Sequence, residues 1–182
     1  MFMHSFCCCS NSVNGPVRYY QNSGTGTVSS TLTLDTTRNG ATRVAAAYLD
    51  NDSTLDVVVV FGDSNCVVWY KGTVTGGVVS FSSGTVVSAA VVWSVGLQLI
   101  DYDRDGDVDI LTSSRTTHSV LVLLNTGNAA SFTLSTLDTA LTGAQSHIAF
   151  DADSDGVWDS ISVSWDTGDV RWCVRVRLCN TL

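Results

Sequence analysis

The sequence predicts an all-β protein built from β-propeller blades, each a four-stranded antiparallel sheet. Three observations carry that expectation. A cluster of aspartates followed by a β-branched run recurs three times, at steps of 53 and 50 residues. Short strand-like runs between the clusters alternate with Gly-, Asn-, Asp- and Ser-rich turns, the pattern of consecutive hairpins. Helix signals are lacking: the 182 residues hold no Glu and a single Lys, but are rich in Val, Thr and Ser, residues that favour strands. A period of about fifty residues made of four short strands is the size of a propeller blade.

Each unit reads in the same order. A run enters the cluster (Val44 to Ala47, Leu97 to Ile100, His147 to Phe150). After the cluster comes a strand-like run (Leu55 to Val60, Val108 to Thr112, Trp158 to Val163), then a polar turn. A second strand follows (Val67 to Tyr70, Val120 to Leu124, Val170 to Val174), and a third is expected at Val79 to Ser82 and Ser131 to Ser135. The pattern also starts ahead of the first cluster, because Val17 to Asn22 resembles Val67 to Gly72 and Ser30 to Asp35 takes the third-strand place. The expected organisation is therefore an atypical or disordered tail over 1–15 and a partial propeller over 16–182. That propeller comprises a half blade at 17–37 and repeats at 42–90, 95–137 and 145–182. Three to three and a half blades are too few to close a ring, since propellers close with about four to eight. Two expectations follow: the chain is a fragment of a larger propeller, or it completes its ring with blades of another chain.

The net charge of −8 comes from 17 aspartates, and twelve of them lie in the three clusters. Charge concentrated in this way points to cations as partners and against nucleic acid, which needs a basic face. No apolar run reaches the roughly 18 residues of a membrane span. The first ten residues lack the basic start of a secretory signal. The six cysteines do not follow the repeat, so they form no repeated disulfide framework. Cys7, Cys8 and Cys9 make a poor tetrahedral metal site, and the spacing of Cys173 and Cys179 leaves their pairing open.

The clusters suit a hard cation. Ca²⁺ takes six to eight oxygen ligands, and carboxylates at alternate positions of a tight loop converge on one point. Asp101, Asp103, Asp105, Asp107 through its carbonyl, and Asp109 form one complete set, with Gly106 at the turn. Asp151, Asp153, Asp155, Val157 through its carbonyl, and Asp159 form a second, with Gly156. The remaining cluster is degraded: Tyr48 stands at its first position and Ser53 at its sixth, leaving Asp50, Asp52 and Asp56. It is expected to bind weakly or not at all. An EF-hand would need an acidic residue at position 12, where Thr112 and Ser162 stand, and flanking helices.

The pattern Asp-x-Asp-x-Asp-Gly-Asp-Val-Asp-Ile, from Asp101 to Ile110, resembles the FG-GAP/VCBS repeat family, whose relatives include the propellers of integrin alpha chains. The resemblance spans about residues 17 to 174 and departs from the family in lacking a matched set of its Phe-Gly and Gly-Ala-Pro signatures. It implies a seven-bladed propeller with Ca²⁺ in loops between blade strands. It also implies an extracellular or cell-surface place and a non-catalytic role in recognition or adhesion toward a protein or carbohydrate ligand. The alternative is an accessory region of a larger secreted carbohydrate-active enzyme. His118 and His147 have no neighbouring nucleophile motif, so no enzyme activity is expected. Trp69, Tyr70 and Trp172 recur at equivalent strand positions, which favours packing between blades over a sugar platform. Arg171, Arg175 and Arg177 alternate with apolar residues and suggest an exposed edge strand.

Overall fold

The computed structural model describes residues 5–8, 15–174 and 178–181. Every regular element in them is a β-strand. Sheet I contains β1 (Ser5–Cys8), β2 (Val17–Asn22) and β3 (Val28–Asp35). Sheet II contains β4 (Ala41–Ala47), β5 (Asp56–Phe61), β6 (Cys66–Tyr70) and, at its outer edge, β9 (Thr85–Ser88). Between β6 and β9 a separate hairpin is inserted, β7 (Gly72–Thr75) with β8 (Val78–Phe81). Sheet III runs β10 (Leu97–Ile100), β11 (Asp109–Ser114), β12 (Ser119–Asn125), β13 (Phe132–Asp138). Sheet IV runs β14 (Ala144–Phe150), β15 (Asp159–Ser164), β16 (Val170–Val174), β17 (Leu178–Thr181). All pairings are antiparallel between successive strands, apart from the β6–β9 jump over the hairpin. The four sheets stack face to face in sequence order, the packing of propeller blades.

The alternation of side chains along β5 shows how the stack is held. All six residues Asp56–Phe61 are buried. Val58 and Val60 point to sheet III, where they meet Ile110, Leu121 and Leu123. Val57, Val59 and Phe61 point the other way, to Val17 of sheet I. A continuous apolar run is what a strand covered on both faces requires, since alternate residues serve opposite neighbours. Each fully buried valine contributes on the order of 1.5 kcal/mol. The next seam, between sheets III and IV, is smaller: Leu111 and Val122 pack against Ala149. It is supplemented by polar ties. The Gln98 amide on β10 both donates to the Ala149 carbonyl (2.9 Å) and accepts from the Ala149 N–H (2.7 Å) on β14. Ser113 Oγ donates to the Gln145 carbonyl at 2.6 Å.

Three strands differ from the sequence expectation. The run Val79 to Ser82 does not form the outer strand of sheet II; most of it lies in the inserted hairpin, and Thr85–Ser88 takes the edge. The cause is Gly76-Gly77, both at positive φ (58° and 82°) in a two-residue loop that folds β8 back on β7. Ser5–Cys8, placed by the sequence in the tail, pairs with β2. Leu178–Thr181 pairs with β16, so the strand bearing Arg171 is interior, and Arg171 donates to Asp138 at 3.0 Å instead of marking an edge. Arg175, Arg177 and Cys9 lie outside the described residues. Cys173 and Cys179 are register partners across β16 and β17.

His147 sits in the seam between sheets III and IV, 3 % exposed, and neither ring nitrogen has a hydrogen-bond partner. Burial pushes its imidazole down to about 4. As pH falls from about 6.5 toward 4, the unfolded chain binds a proton that the folded chain refuses. Stability should fall by up to about 3 kcal/mol across that window. Urea midpoints measured between pH 7 and 4 should show a flatter dependence for His147→Leu than for the wild type; parallel curves would refute this assignment.

Candidate metal centre

The three aspartate loops occupy the same place in successive sheets, between the first and second strand: 48–55, 101–108 and 151–158. Their last aspartate is already in a strand and is buried: Asp56 and Asp109 at 0 % and Asp159 at 2 % exposure. This residue ties the loop to the sheet. Asp109 Oδ2 accepts from Tyr102 N and Oδ1 from Asn125 N, both at 2.7 Å. Asp56 repeats the pattern with Leu49 N (3.1 Å) and Gly72 N (2.8 Å), and Asp159 accepts from Ala152 N at 2.8 Å. Burial raises the carboxyl pKa of Asp56 and of Asp109, because desolvation disfavours their charged forms.

Within the 101–109 loop, Gly106 N donates to Asp101 Oδ2 (3.1 Å) and Asp107 N to Asp105 Oδ1 (2.9 Å). The 151–159 loop matches it bond for bond: Gly156 N to Asp151 Oδ2 (3.0 Å), Val157 N to Asp155 Oδ1 (2.8 Å). Gly106 and Gly156 adopt positive φ, 96° and 83°, which glycine allows without steric cost. The fourth position, Asn51, Arg104 and Ser154, is also left-handed (58°, 65°, 61°) in all three loops; the sequence offered only a weak signal for that.

The loops bring carboxylates together in two places. Oxygens of Asp101, Asp103 and Asp109 lie within 4.8 Å of one another, and so do those of Asp151, Asp153 and Asp155. The carboxylates of Asp105 and Asp159 stand outside these two groups. Asp107 turns its carboxylate to Asn51 Nδ2 of the neighbouring loop at 2.5 Å. Asp101 Oδ1 and Asp151 Oδ1, at the first position of each loop, are buried without any hydrogen-bond partner. A buried anionic oxygen with no donor is costly, and a cation is the partner that fits it. The Asp103 carboxyl pKa is raised, first by desolvation and also by its acidic neighbours Asp105 and Asp101.

The 48–56 loop is built differently. Tyr48 cannot supply the first carboxylate, and Ser53 does not take the left-handed conformation of Gly106 and Gly156. Instead, the Lys71 ammonium donates to Asp50 and lies 3.1 Å from Asp52. The two carboxylates in turn raise the Lys71 pKa, Asp50 most strongly. By register, Lys71 corresponds to Leu124 and Val174 in the other two repeats. The chain's only lysine thus stands where the complete loops have apolar residues. It is a tethered cation at the degraded copy. Lys71→Leu should lower the melting temperature at low ionic strength, and added salt should narrow the difference. A variant that melts like the wild type in dilute buffer would remove this role.

Of the aromatic residues singled out in the sequence, Tyr70 is fully buried and Trp69 packs against the core between sheets II and III. Trp172 is 39 % exposed. Among the described residues, no helix is long and apolar enough to cross a membrane.

Stacked four-stranded antiparallel sheets with an acidic loop at the same corner of each define a β-propeller-type repeat module. Residues 49–112, from the first aspartate loop through the second, match the family model of the FG-GAP-like repeat. Comparison with curated proteins finds no match.

Proposed function

We propose that the chain is a calcium-held, non-catalytic propeller module that serves recognition or adhesion outside the cell. The observation that carries the metal reading is the pair of orphaned oxygens, Asp101 Oδ1 and Asp151 Oδ1, each beside converging carboxylates. Two independent loops repeat the arrangement. Asp101, Asp103 and Asp109, with Asp105 and the Asp107 carbonyl in the same loop, would hold one ion. Asp151, Asp153 and Asp155, with the Val157 carbonyl and Asp159, would hold the other. The ion would neutralise repelling carboxylates and fix the corner between two strands. Its role is structural, because no helix pair is present among the described residues to open on binding.

Two features support a non-catalytic role. His118 Nδ1 is taken by the Gly143 N–H at 2.8 Å, and His147 is sealed in a seam without partners. The extracellular setting rests on the FG-GAP-like repeat, whose relatives include the integrin alpha propellers.

Calorimetric melting with Ca²⁺ and with EDTA tests the metal reading. A ligand at a hundred times its dissociation constant adds about 2.7 kcal/mol to a site that exists only when folded. Chelation should therefore lower the melting temperature clearly. The combined variant Asp103→Ala plus Asp153→Ala should melt alike in both buffers. Equal melting of the wild type with Ca²⁺ and EDTA would overturn the reading.

A further inference from the structure

At the opposite end of the strands from the aspartate loops, the repeat is broken in a way that packing does not explain. Counting by the repeat steps, Trp93 corresponds to Gly40 and Gly143, and Trp165 to Gly62 and Arg115. Backbone bonds confirm the alignment: Gly62 N donates to the Gly40 carbonyl (2.7 Å), and Trp165 N to the Gly143 carbonyl (3.1 Å). Gly40 and Gly143 have φ of 67° and 69°, and Trp93 keeps the same left-handed backbone at 52°. A bulky side chain in that region is strained. The neighbour has changed in step. A Cβ built on Gly40 or Gly143 would come within 2.5 Å of the Asp63 or Asp166 side chain. At Trp93 the equivalent of those aspartates is the shorter Thr116.

The strain brings no burial in return, since Trp93 is 52 % exposed and Trp165 is 63 % exposed. Both indoles line one cleft of about 180 Å³, with Val95, Arg115 and Gln145. Trp93 and Arg115 also border a hollow of about 410 Å³ with Thr116, His118 and Asp166. The Arg115 guanidinium lies 5.9 Å from the Trp165 ring centre, and its Nε donates to Asp166 Oδ1 at 3.1 Å. His118 accepts through Nδ1, which leaves Nε2 as the donor nitrogen of the ring.

We propose that this cleft binds a neutral saccharide, with Trp93 and Trp165 as stacking surfaces and Arg115, Asp166, Gln145 and His118 as hydroxyl partners. A pyranose presents an apolar C–H face and an edge of hydroxyls that both donate and accept. Indole faces beside a guanidinium–carboxylate pair, an amide and an imidazole match both. Arg115 is already neutralised by Asp166, and the chain carries −8 overall, so an anionic ligand is disfavoured. A cationic ligand would meet the Arg115 guanidinium already beside the Trp165 ring. The inference rests on the recognition reading above and not on the calcium reading.

The test uses the full chain in saturating Ca²⁺ against soluble neutral cello-, chito-, malto- and galacto-oligosaccharides, read by tryptophan fluorescence and titration calorimetry. At least one should bind and shift the emission. Trp93→Gly and Trp165→Gly place residues that equivalent positions already use, so both should fold. Each should weaken binding about ten-fold or more. Trp93→Gly should melt at or above the wild-type temperature, because it removes strain. Binding of none of the four classes, or undiminished binding by the double variant, would overturn the proposal. Melting of the same samples with and without EDTA reports on calcium separately, so the two failures are distinguishable.

Discussion

Asp109→Ala is expected to destabilise the protein by about 3–5 kcal/mol in EDTA, apart from any loss of bound calcium. The side chain is fully buried, and its two oxygens hold Tyr102 N and Asn125 N. Truncation leaves both donors buried without acceptors, at about 1–3 kcal/mol each. It also unfastens the aspartate loop from β12, because Asn125 ends that strand. Asn125 in turn donates to the Leu49 carbonyl of the preceding sheet's loop at 2.8 Å, so the damage should spread across the seam. Asp109→Asn keeps one carbonyl acceptor and should lose about half as much. Urea unfolding in EDTA separates this from metal loss: the midpoint should fall with an unchanged slope. An alanine variant within about 0.5 kcal/mol of wild type would show that the loop is held by something else.

The repeat was legible because it is written in residues whose chemistry admits few alternatives. Aspartates at alternate positions with a glycine at the sixth announce a tight loop. Four consecutive valines after Asp56 announce a strand covered on both faces. What escaped the sequence depends on partners far along the chain. Lys71 lies 21 residues from Asp50, and only the register of β5 against β6 brings it over that carboxylate. The outer strand of sheet II was misplaced because Val79 to Ser82 and Thr85 to Ser88 are both β-branched or aromatic runs of similar length. The Gly76-Gly77 turn decides between them, and its two positive φ angles were readable as a hairpin signal. Trp93 was hidden for another reason. A tryptophan in a connection carries no pattern until alignment with Gly40 and Gly143 shows that it occupies a glycine position.

Tyr70→Ala is expected to be the other large loss, about 3–5 kcal/mol, since a fully buried aromatic leaves a cavity among Val57, Val59 and Val68. Tyr70→Phe isolates the polar part. Tyr70 Oη donates to Asp35 Oδ2 at 2.6 Å, joining sheet II to the end of β3 in sheet I. The same carboxylate accepts from Thr37 N (2.7 Å), Thr37 Oγ1 (2.9 Å), Arg38 N (3.1 Å) and the Arg38 guanidinium. Burial alone would raise the Asp35 pKa, but these donors together outweigh it and hold the group well below the usual carboxyl range. A charged hydrogen bond of this kind contributes about 1.5–3 kcal/mol. The sign with pH follows from the lowered value. The stabilisation is present above about pH 4, where the unfolded carboxyl is ionised, and is lost as pH falls toward the folded pKa. Tyr70→Phe should therefore destabilise most at neutral pH and progressively less in acid, where the wild type loses the same contribution. Denaturant midpoints for both proteins from pH 7 to 2 should begin to draw together only at the acid end, because the folded Asp35 carboxyl titrates below the usual range. A constant difference at every pH would mean that the hydroxyl acts through packing and that Asp35 is held without it.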